Sequence, residues 1–292
     1  MTETILEQKR QELLTFVQQE IVPEPAVQAL IAIGSLAMGV PRPDSDIDAV
    51  VFLDPFDPYA VPAEFQWRPA DRTFHNIFVD LDDVVQFDFK RFDLAQWSQP
   101  TFVWPEPLRA ELNAGWMAFD RHGLVHPLIT ERTSYPDSLR LERLDHAVLQ
   151  LDQLLSHTKA RRSWEHLGAL IAHDRLQAAY AELVTAVFAY NRHWRPWRSR
   201  EMSALVQLPW LPSQFHEHIL LALNAPGLDV RGFEARLSVL RQLFDELLAQ
   251  LQRDQVYGDD PIGEAFIRQY RESGRGDLED WKIGRASCRE RV

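Results

Sequence analysis

The sequence predicts an α+β fold in which a small mixed β-sheet with flanking helices is followed by an α-helical bundle. Two patterns indicate this. Up to about residue 135, short apolar and β-branched runs are separated by turn residues, as in strands and loops. From about Pro136, apolar residues recur at helical intervals over three long stretches. We therefore expect domains at residues 1–135 and 136–281, and a chain of 292 residues is long enough for both to bury a core.

The first predicted elements are a helix and two strands. Apolar residues at near-helical intervals predict an amphipathic helix over residues 3–20 that packs on the sheet. Residues 26–33 and 49–53 are apolar and partly β-branched, which is typical of buried strands. Four prolines and the lack of any periodicity predict a long loop over residues 53–72.

The candidate site lies between these two strands. Gly34 and Ser35 close the first apolar run, and Asp46 and Asp48 stand two residues apart at the start of the second. Because successive side chains of a strand point to opposite faces, this spacing puts both carboxylates on one face. The two like charges repel, and a Mg²⁺ ion bound to carboxylates, water and substrate phosphates removes the conflict. Gly34 permits a tight turn, and Ser35 offers a hydroxyl and a backbone N–H to a phosphate.

This arrangement, GS followed by ten residues and DID, resembles the signature of the DNA polymerase β-like nucleotidyltransferase superfamily. It is most similar to the branch that contains the aminoglycoside and lincosamide nucleotidyltransferases and the small GSxAxG-type proteins. The resemblance is closest over residues 26–53. Leu36 departs from the pattern, since many relatives have a basic residue at that position.

The resemblance implies a nucleotidyltransferase domain over residues 1–135 that uses Mg²⁺ and a nucleoside triphosphate such as ATP. It implies that Asp46 and Asp48 are catalytic residues that bind the metal. It also implies that the nucleotide is contacted by residues of the motif itself, namely Gly34, Ser35 and Ser45.

A third carboxylate is expected on the strand predicted at residues 84–92. There Asp88 lies between Phe87 and Phe89, and a carboxylate in such a strand is costly to bury unless it is paired or bound to a metal. In the resembled superfamily the third acidic residue stands on a strand adjacent to the Asp-x-Asp strand. The resemblance therefore implies that Asp88 is the third catalytic, metal-binding residue, with Asp80 as the alternative.

Two further segments carry weaker predictions. Residues 115–129 are predicted to form a strand, a turn that contains Asp120, and an extension of the strand. In the helical part, Arg192, Arg195 and Arg198 lie in an Asn-Arg-x-aromatic-x-Pro segment that resembles one in the helical domains of some nucleotidyltransferases. These arginines could bind a triphosphate, or they could lie against a helix C-terminus while tryptophans cover the core. The sequence does not decide between these two interpretations of the arginines.

The last residues, 282–292, resemble the in-frame translation of a sequencing adapter, so we expect a non-native tail. It contains the one cysteine of the chain, Cys288, which leaves no basis for a disulfide or a zinc site. Its four basic residues and one glutamate give +3, so residues 1–281 carry −15 where the whole chain carries −12. Such an acidic body disfavours nucleic acid and favours a cationic small molecule.

The expected function is transfer of a nucleoside monophosphate, AMP from ATP in the simplest case, to a hydroxyl of a small-molecule acceptor. Pyrophosphate is released, and the general base is Asp88 or a carboxylate of the helical domain such as Glu182. The alternatives are a protein-modifying, antitoxin-type nucleotidyltransferase, a non-catalytic nucleotide-binding protein and a purely structural helical protein. Without a membrane-length apolar run or a signal sequence, a cytoplasmic location is expected.

Overall fold

The computed structural model describes residues 2–224 and 227–271, and the chain divides into two compact units. The first unit ends at Ser134 and the second begins at Tyr135. The predicted non-native tail, with Cys288, lies outside the described residues. Within the described ranges, no helix combines the length and the apolar character that crossing a membrane requires.

The first unit is built on a six-stranded mixed sheet, which confirms the predicted α+β class. In chain order the strands are β1 (Val27–Ala32), β2 (Ile47–Leu53), β3 (Glu64–Arg68), β4 (Thr73–His75), β5 (Val85–Asp93) and β6 (Trp116–Asp120). Their spatial order is β4-β3-β5-β2-β1-β6. Only β2 and β5 pair in parallel; the other neighbours are antiparallel. The two strands that carry the candidate carboxylates therefore lie side by side at the centre of the sheet.

One face of the sheet is covered by the N-terminal helix, as predicted. Helix α1 (Thr2–Phe16) continues into a π-helical turn, Val17–Ile21. Phe16 packs against aromatic side chains of β3 and β5, with its ring centroid 4.5 Å from that of Phe87. This apolar layer fixes which side chains of each strand face α1 and, by alternation, which face the opposite side.

The opposite face is partly covered by shorter helices, which are α2 (Gly34–Ala37), α3 (Leu94–Trp97), α4 (Glu106–Asn113) and α5 (Val125–Thr133). Trp97 and Trp104 centre the apolar cluster on this side, and the indole N–H of Trp104 donates to the Trp97 carbonyl at 3.0 Å. These elements pack mainly on β1 and on the later residues of β2.

Two local predictions were wrong. Residues 64–68, inside the predicted loop, form β3. The segment after Asp120 forms α5 and not an extension of the strand. The Asp120 carboxylate accepts hydrogen bonds from the backbone N–H groups of Leu124, Val125 and His126 at 2.8–3.2 Å, which satisfies donors at the start of α5.

The second unit is helical, as predicted. Its helices are α6 (Asp137–Leu155), α7 (His157–Arg162), α8 (Ala169–Tyr190), α9 (Arg198–Leu205), α10 (Phe215–Leu223), α11 (Val230–Arg253) and α12 (Pro261–Arg271), with a π-helical turn at Ser163–Leu167. Most of the apolar stripes predicted from the sequence are buried where α6, α8 and α11 meet. Leu167, Leu170 and Ile171, which were predicted to begin the second stripe, are instead exposed. Asp145 on α6 accepts hydrogen bonds from Tyr257 and Arg268, which ties α12 to α6.

Candidate active site

The Gly-Ser motif forms the turn between β1 and α2. Gly34 has φ +62°, a left-handed conformation that strains other residues, and the N–H of Ile33 donates to the carbonyl of Asp48 at 2.9 Å. A methyl group added at Gly34 would overlap the Oδ2 atom of Asp48 and lie 3.0 Å from its Cγ. Glycine thus lets the Asp48 carboxylate lie directly against the backbone of the turn. Ser35 is the second residue of α2 and is half-buried.

Asp48 faces away from α1. Ile47, Ala49 and Val51 on the same strand belong to the apolar layer beneath α1, whereas Val50 belongs to the cluster on the other side. Strand alternation therefore places the Asp48 side chain with Val50. Asp46 is half-buried and lies directly before Ile47, the first residue of β2.

Asp88 stands beside Asp48. The parallel pairing of β2 with β5 puts Asp48 directly opposite Asp88. Phe87 and Phe89 lie in the layer beneath α1, so the Asp88 side chain points to the same face as Asp48. Neighbouring strands lie about 4.8 Å apart, which brings the two half-buried carboxylates within reach of one ion. Asp80 instead lies exposed in the connection between β4 and β5.

The structure adds a fourth carboxylate that the sequence analysis missed. Glu64 on β3 pairs opposite Asp88, so Asp48, Asp88 and Glu64 form one row across three strands. We call these three residues the carboxylate row. The alternation of Glu64 and Gln66 with buried Phe65 and Trp67 was the available signal, but it lay inside the stretch interpreted as a loop.

The local charges leave room for a cation. Within residues 2–224 and 227–271, the side chains of Asp46, Asp88 and Glu64 make no hydrogen bond or ion pair, and Lys90, on the same face, pairs with Glu111 at 2.6 Å. No three His, Cys, Asp or Glu side chains of the described ranges form a preassembled metal cluster. Carboxylate oxygens are nonetheless the donors that Mg²⁺ prefers, and Mg²⁺ is commonly held by one or two carboxylates plus water and substrate phosphates. The donor set therefore fits this ion.

Ser45 belongs to the loop that precedes the acidic pair. Its hydroxyl accepts a hydrogen bond from the N–H of Arg42 at 3.0 Å, and its own N–H donates to the Arg42 carbonyl at 3.1 Å. Arg42 is exposed and lies 3.4 Å from Asp44 in a loose ion pair. Ser45 thus makes a turn-forming contact, and the exposed guanidinium of Arg42 lies in the same loop, between α2 and β2.

The three arginines that were candidates for binding a triphosphate are each paired with a carboxylate. Arg192 pairs with Asp137 at 2.9 Å, and both Arg195 and Arg198 pair with Glu201, which is only 2% exposed. The charge of Glu201 raises the pKa of Arg198 above its usual value. These pairs account for the arginines as structural residues, while Arg192 and Arg198 keep enough exposure to meet a ligand.

Asn191 in the same segment has a clear structural contact. Its side-chain amide accepts from the N–H of Trp210 at 2.8 Å and donates to the Trp210 carbonyl at 2.9 Å. The Asn191 side chain therefore bonds to both backbone groups of Trp210, as a neighbouring strand would, and it links the end of α8 to the segment before α10.

Comparison with known proteins gives one match to a family model. Residues 10–102 match the family model of the nucleotidyltransferase domain. Among solved structures, the chain is similar to a nucleotidyltransferase-like protein from Exiguobacterium sibiricum 255-15, at 13% sequence identity and a TM-score of 0.41, over 90% of this chain and 80% of that one. No curated protein matches the chain significantly.

Proposed function

Since this chain contains a nucleotidyltransferase domain at residues 10–102, we propose that it is a Mg²⁺-dependent enzyme that transfers a nucleoside monophosphate, AMP from ATP in the simplest case, to a hydroxyl of a small-molecule acceptor. The observation that carries the proposal is the pairing of Asp48 with Asp88 on parallel strands, beside a turn in which Gly34 leaves room for the Asp48 carboxylate.

Asp46, Asp48 and Asp88 would hold the metal. When bound, it would stabilise the negative charge that develops on the phosphoryl oxygens and on the departing pyrophosphate. The protein supplies the rest of the site from the turn after β1. Ser35 would donate its hydroxyl and backbone N–H to the phosphates, and the exposed guanidinium of Arg42 lies in the loop between α2 and β2.

The reaction is a single displacement. The acceptor oxygen forms a bond to the α-phosphorus while the bond from that phosphorus to the bridging oxygen breaks, and pyrophosphate leaves with that oxygen. The proton of the acceptor hydroxyl passes to a carboxylate and then to water. Asp88 and Glu182 remain the two candidates for this base. Glu182 lies on α8, with its Oε1 3.8 Å from His146 Nε2.

A double substitution of the acidic pair tests the proposal. Asp46→Asn with Asp48→Asn should abolish Mg²⁺-dependent pyrophosphate release from ATP, because both charges that hold the metal are lost. The fold should survive, since Asp48 is near one end of β2 and Asp46 precedes it. Asp44→Asn, which changes an exposed carboxylate of the same loop, is the matched control.

The acceptor is found by incubating lysate metabolites and proteins with the enzyme and labelled ATP, followed by mass spectrometry. A labelled small molecule supports the proposal, whereas label on a Tyr or Ser of a protein supports the protein-modifying alternative.

For the double substitution, pyrophosphate release at the wild-type rate would show that Asp46 and Asp48 are not catalytic residues.

A further inference from the structure

Four segments of the helical unit meet around Phe233 and Arg236 of α11. The Trp164 ring, in the π-helical turn after α7, stacks on Phe233 with ring centroids 5.2 Å apart, and the ring of His173 on α8 lies 5.9 Å from that of Phe233. The Arg236 guanidinium donates to the carbonyls of Ala222 and His173 at 2.5 and 3.3 Å. The π-helical turn, the start of α8, the end of α10 and the start of α11 therefore lie together.

Large aliphatic side chains are exposed around this meeting point. Each of them lies within three residues of one of the contacting residues above, and Leu170 is 81% exposed. The set consists of Leu167, Leu170, Ile171, Leu220, Leu221 and Val230. We call it the aliphatic patch. Single exposed aliphatic residues are common on protein surfaces, whereas a contiguous group of this kind marks an interaction site.

The size of the aliphatic patch matches that of a protein–protein interface. From the exposed fractions of its residues, 41% to 81%, its area is on the order of 600 Å². The largest apolar patch on a typical monomer has about 300–600 Å², so this one lies at the upper limit. Homodimer interfaces are about 65% apolar, so this apolar area corresponds to roughly 900 Å² per partner, which exceeds the ~800 Å² of a standard interface.

Charges of both signs border the aliphatic patch. Arg162 lies at the end of α7, two residues before Trp164, and Glu217 lies on α10, one turn before Leu221. Both side chains are exposed, and neither makes a hydrogen bond or an ion pair within residues 2–224 and 227–271. A second copy of the chain offers the complementary charge to each of them. An anionic membrane or a nucleic acid fits less well, because the chain carries −12.

We propose that the aliphatic patch joins two copies of the chain about a two-fold axis. Both copies use the same surface in such a contact, so the aliphatic side chains of one copy cover those of the other, and the opposite charges at the border pair across the axis. The contact closes after two copies. This inference concerns the helical unit alone and holds whatever reaction the first unit catalyses.

The test is sedimentation velocity of the full chain at about 50 μM, because interfaces of this size have dissociation constants in the micromolar range or below. The wild-type chain should sediment as a dimer. Leu170→Glu with Leu220→Glu puts two charges into the contact and should weaken the dimer at least about tenfold. Leu170→Ser with Leu220→Ser removes apolar surface without adding charge and should act in the same direction. Both leucines are exposed, so the monomer should stay folded, which circular dichroism measures.

The matched control changes two exposed aliphatic residues of the first unit. Val103→Glu with Leu124→Glu adds the same charge outside the aliphatic patch and should leave the dimer unchanged. Deletion of residues 282–292 should also leave it unchanged.

Three results would overturn the proposal. A monomer at about 50 μM, or an unchanged dimer in either patch variant, shows that the aliphatic patch does not join two copies. A series of species larger than a dimer excludes a closed two-fold contact. Loss of the dimer on deletion of residues 282–292 assigns the contact to that segment and not to the aliphatic patch.

Discussion

At the scale of single residues, the candidate site depends on where side chains are absent as much as on where they are present. Gly34 has a left-handed φ of +62°, and an added methyl group would occupy the position of the Asp48 carboxylate. Gly123 has nearly the same φ, +68°, yet an added methyl group there meets nothing within 4 Å. A side chain at Gly123 would therefore introduce backbone strain alone, whereas a side chain at Gly34 would introduce the same strain and also collide with Asp48.

We predict that Gly34→Ala and Gly123→Ala both lower the free energy of unfolding by about 1–2 kcal/mol through backbone strain. Only Gly34→Ala should also impair catalysis, because it displaces Asp48, and misplacement of a catalytic group by about 1 Å can cost roughly 10²-fold in rate. Denaturant titration and pyrophosphate release measure the two effects. Equal activities of the two variants would show that Asp48 needs no contact with the turn.

The third carboxylate gives a second prediction at this scale. Asp88→Asn should lower turnover by about 10²-fold or more and change ATP affinity far less, because the charge it supplies is needed most in the transition state. Asp80→Asn should be nearly silent, since Asp80 is exposed between β4 and β5. Pyrophosphate release and ATP binding at saturating Mg²⁺ measure both. If Asp80→Asn is inactive and Asp88→Asn is active, the third ligand is Asp80.

At the scale of elements, the sequence was most informative where a pattern was long. Helices α6, α8 and α11 follow apolar stripes of several turns, and β5 follows a clear alternation of faces that placed Asp88. Strand β3 has only five residues and lies between Pro62 and Pro69, so its alternation is too short for a period to stand out.

Helix α5 was missed for a different reason. Residues 115–129 were interpreted as strand and turn from the turn residues that follow Asp120, but Pro127 is the third residue of α5, in the first turn, where a missing N–H costs no helical hydrogen bond. The capping contacts of Asp120 reach four to six residues along the chain and are visible only in three dimensions. Glu64 was not predicted as a site residue because β3 itself was not predicted. Its pairing with Asp88 joins two strands that are distant in sequence, and no local pattern reveals such a pairing.

The start of α9 gives a prediction for the helical unit. Glu201→Gln should lower the free energy of unfolding by roughly 3 kcal/mol, since it removes the buried charge that pairs with both Arg195 and Arg198. Asp137→Asn, which breaks the exposed pair with Arg192, should cost no more than about 1 kcal/mol. Denaturant midpoints measure both losses. Equal small losses would argue that Glu201 is not a structural anchor.

At the scale of the whole molecule, charge limits the choice of partner. The chain carries −12, and residues 1–281 carry −15 once the expected non-native tail is set aside. A surface of this sign repels phosphate backbones over distances of about 8 Å at physiological salt. Small cations meet no such barrier.

We therefore predict no measurable binding to a labelled duplex DNA or a tRNA at physiological salt, with any dissociation constant weaker than about 100 μM, the weak end of non-specific binding. Fluorescence anisotropy measures this, and a chain truncated after Trp281 is the control for the basic tail. Micromolar, salt-sensitive binding by the truncated chain would contradict the charge argument and reopen a nucleic-acid acceptor.

The parallel pairing of β2 with β5 also affects how the site comes into existence during folding. Asp48 and Asp88 are forty residues apart, and strands β3 and β4 intervene between them along the chain. Parallel strands cannot be joined by a tight hairpin. The long segment between β2 and β5 must therefore close into a loop before any stabilising contact forms between the two strands, and such contacts form slowly. The helices of the second unit depend far more on local contacts. A nascent chain that stops between β2 and β5 has the Gly-Ser turn and the first acidic pair but lacks the strand that carries Asp88, and a protease cut there in an unfolded chain has the same effect.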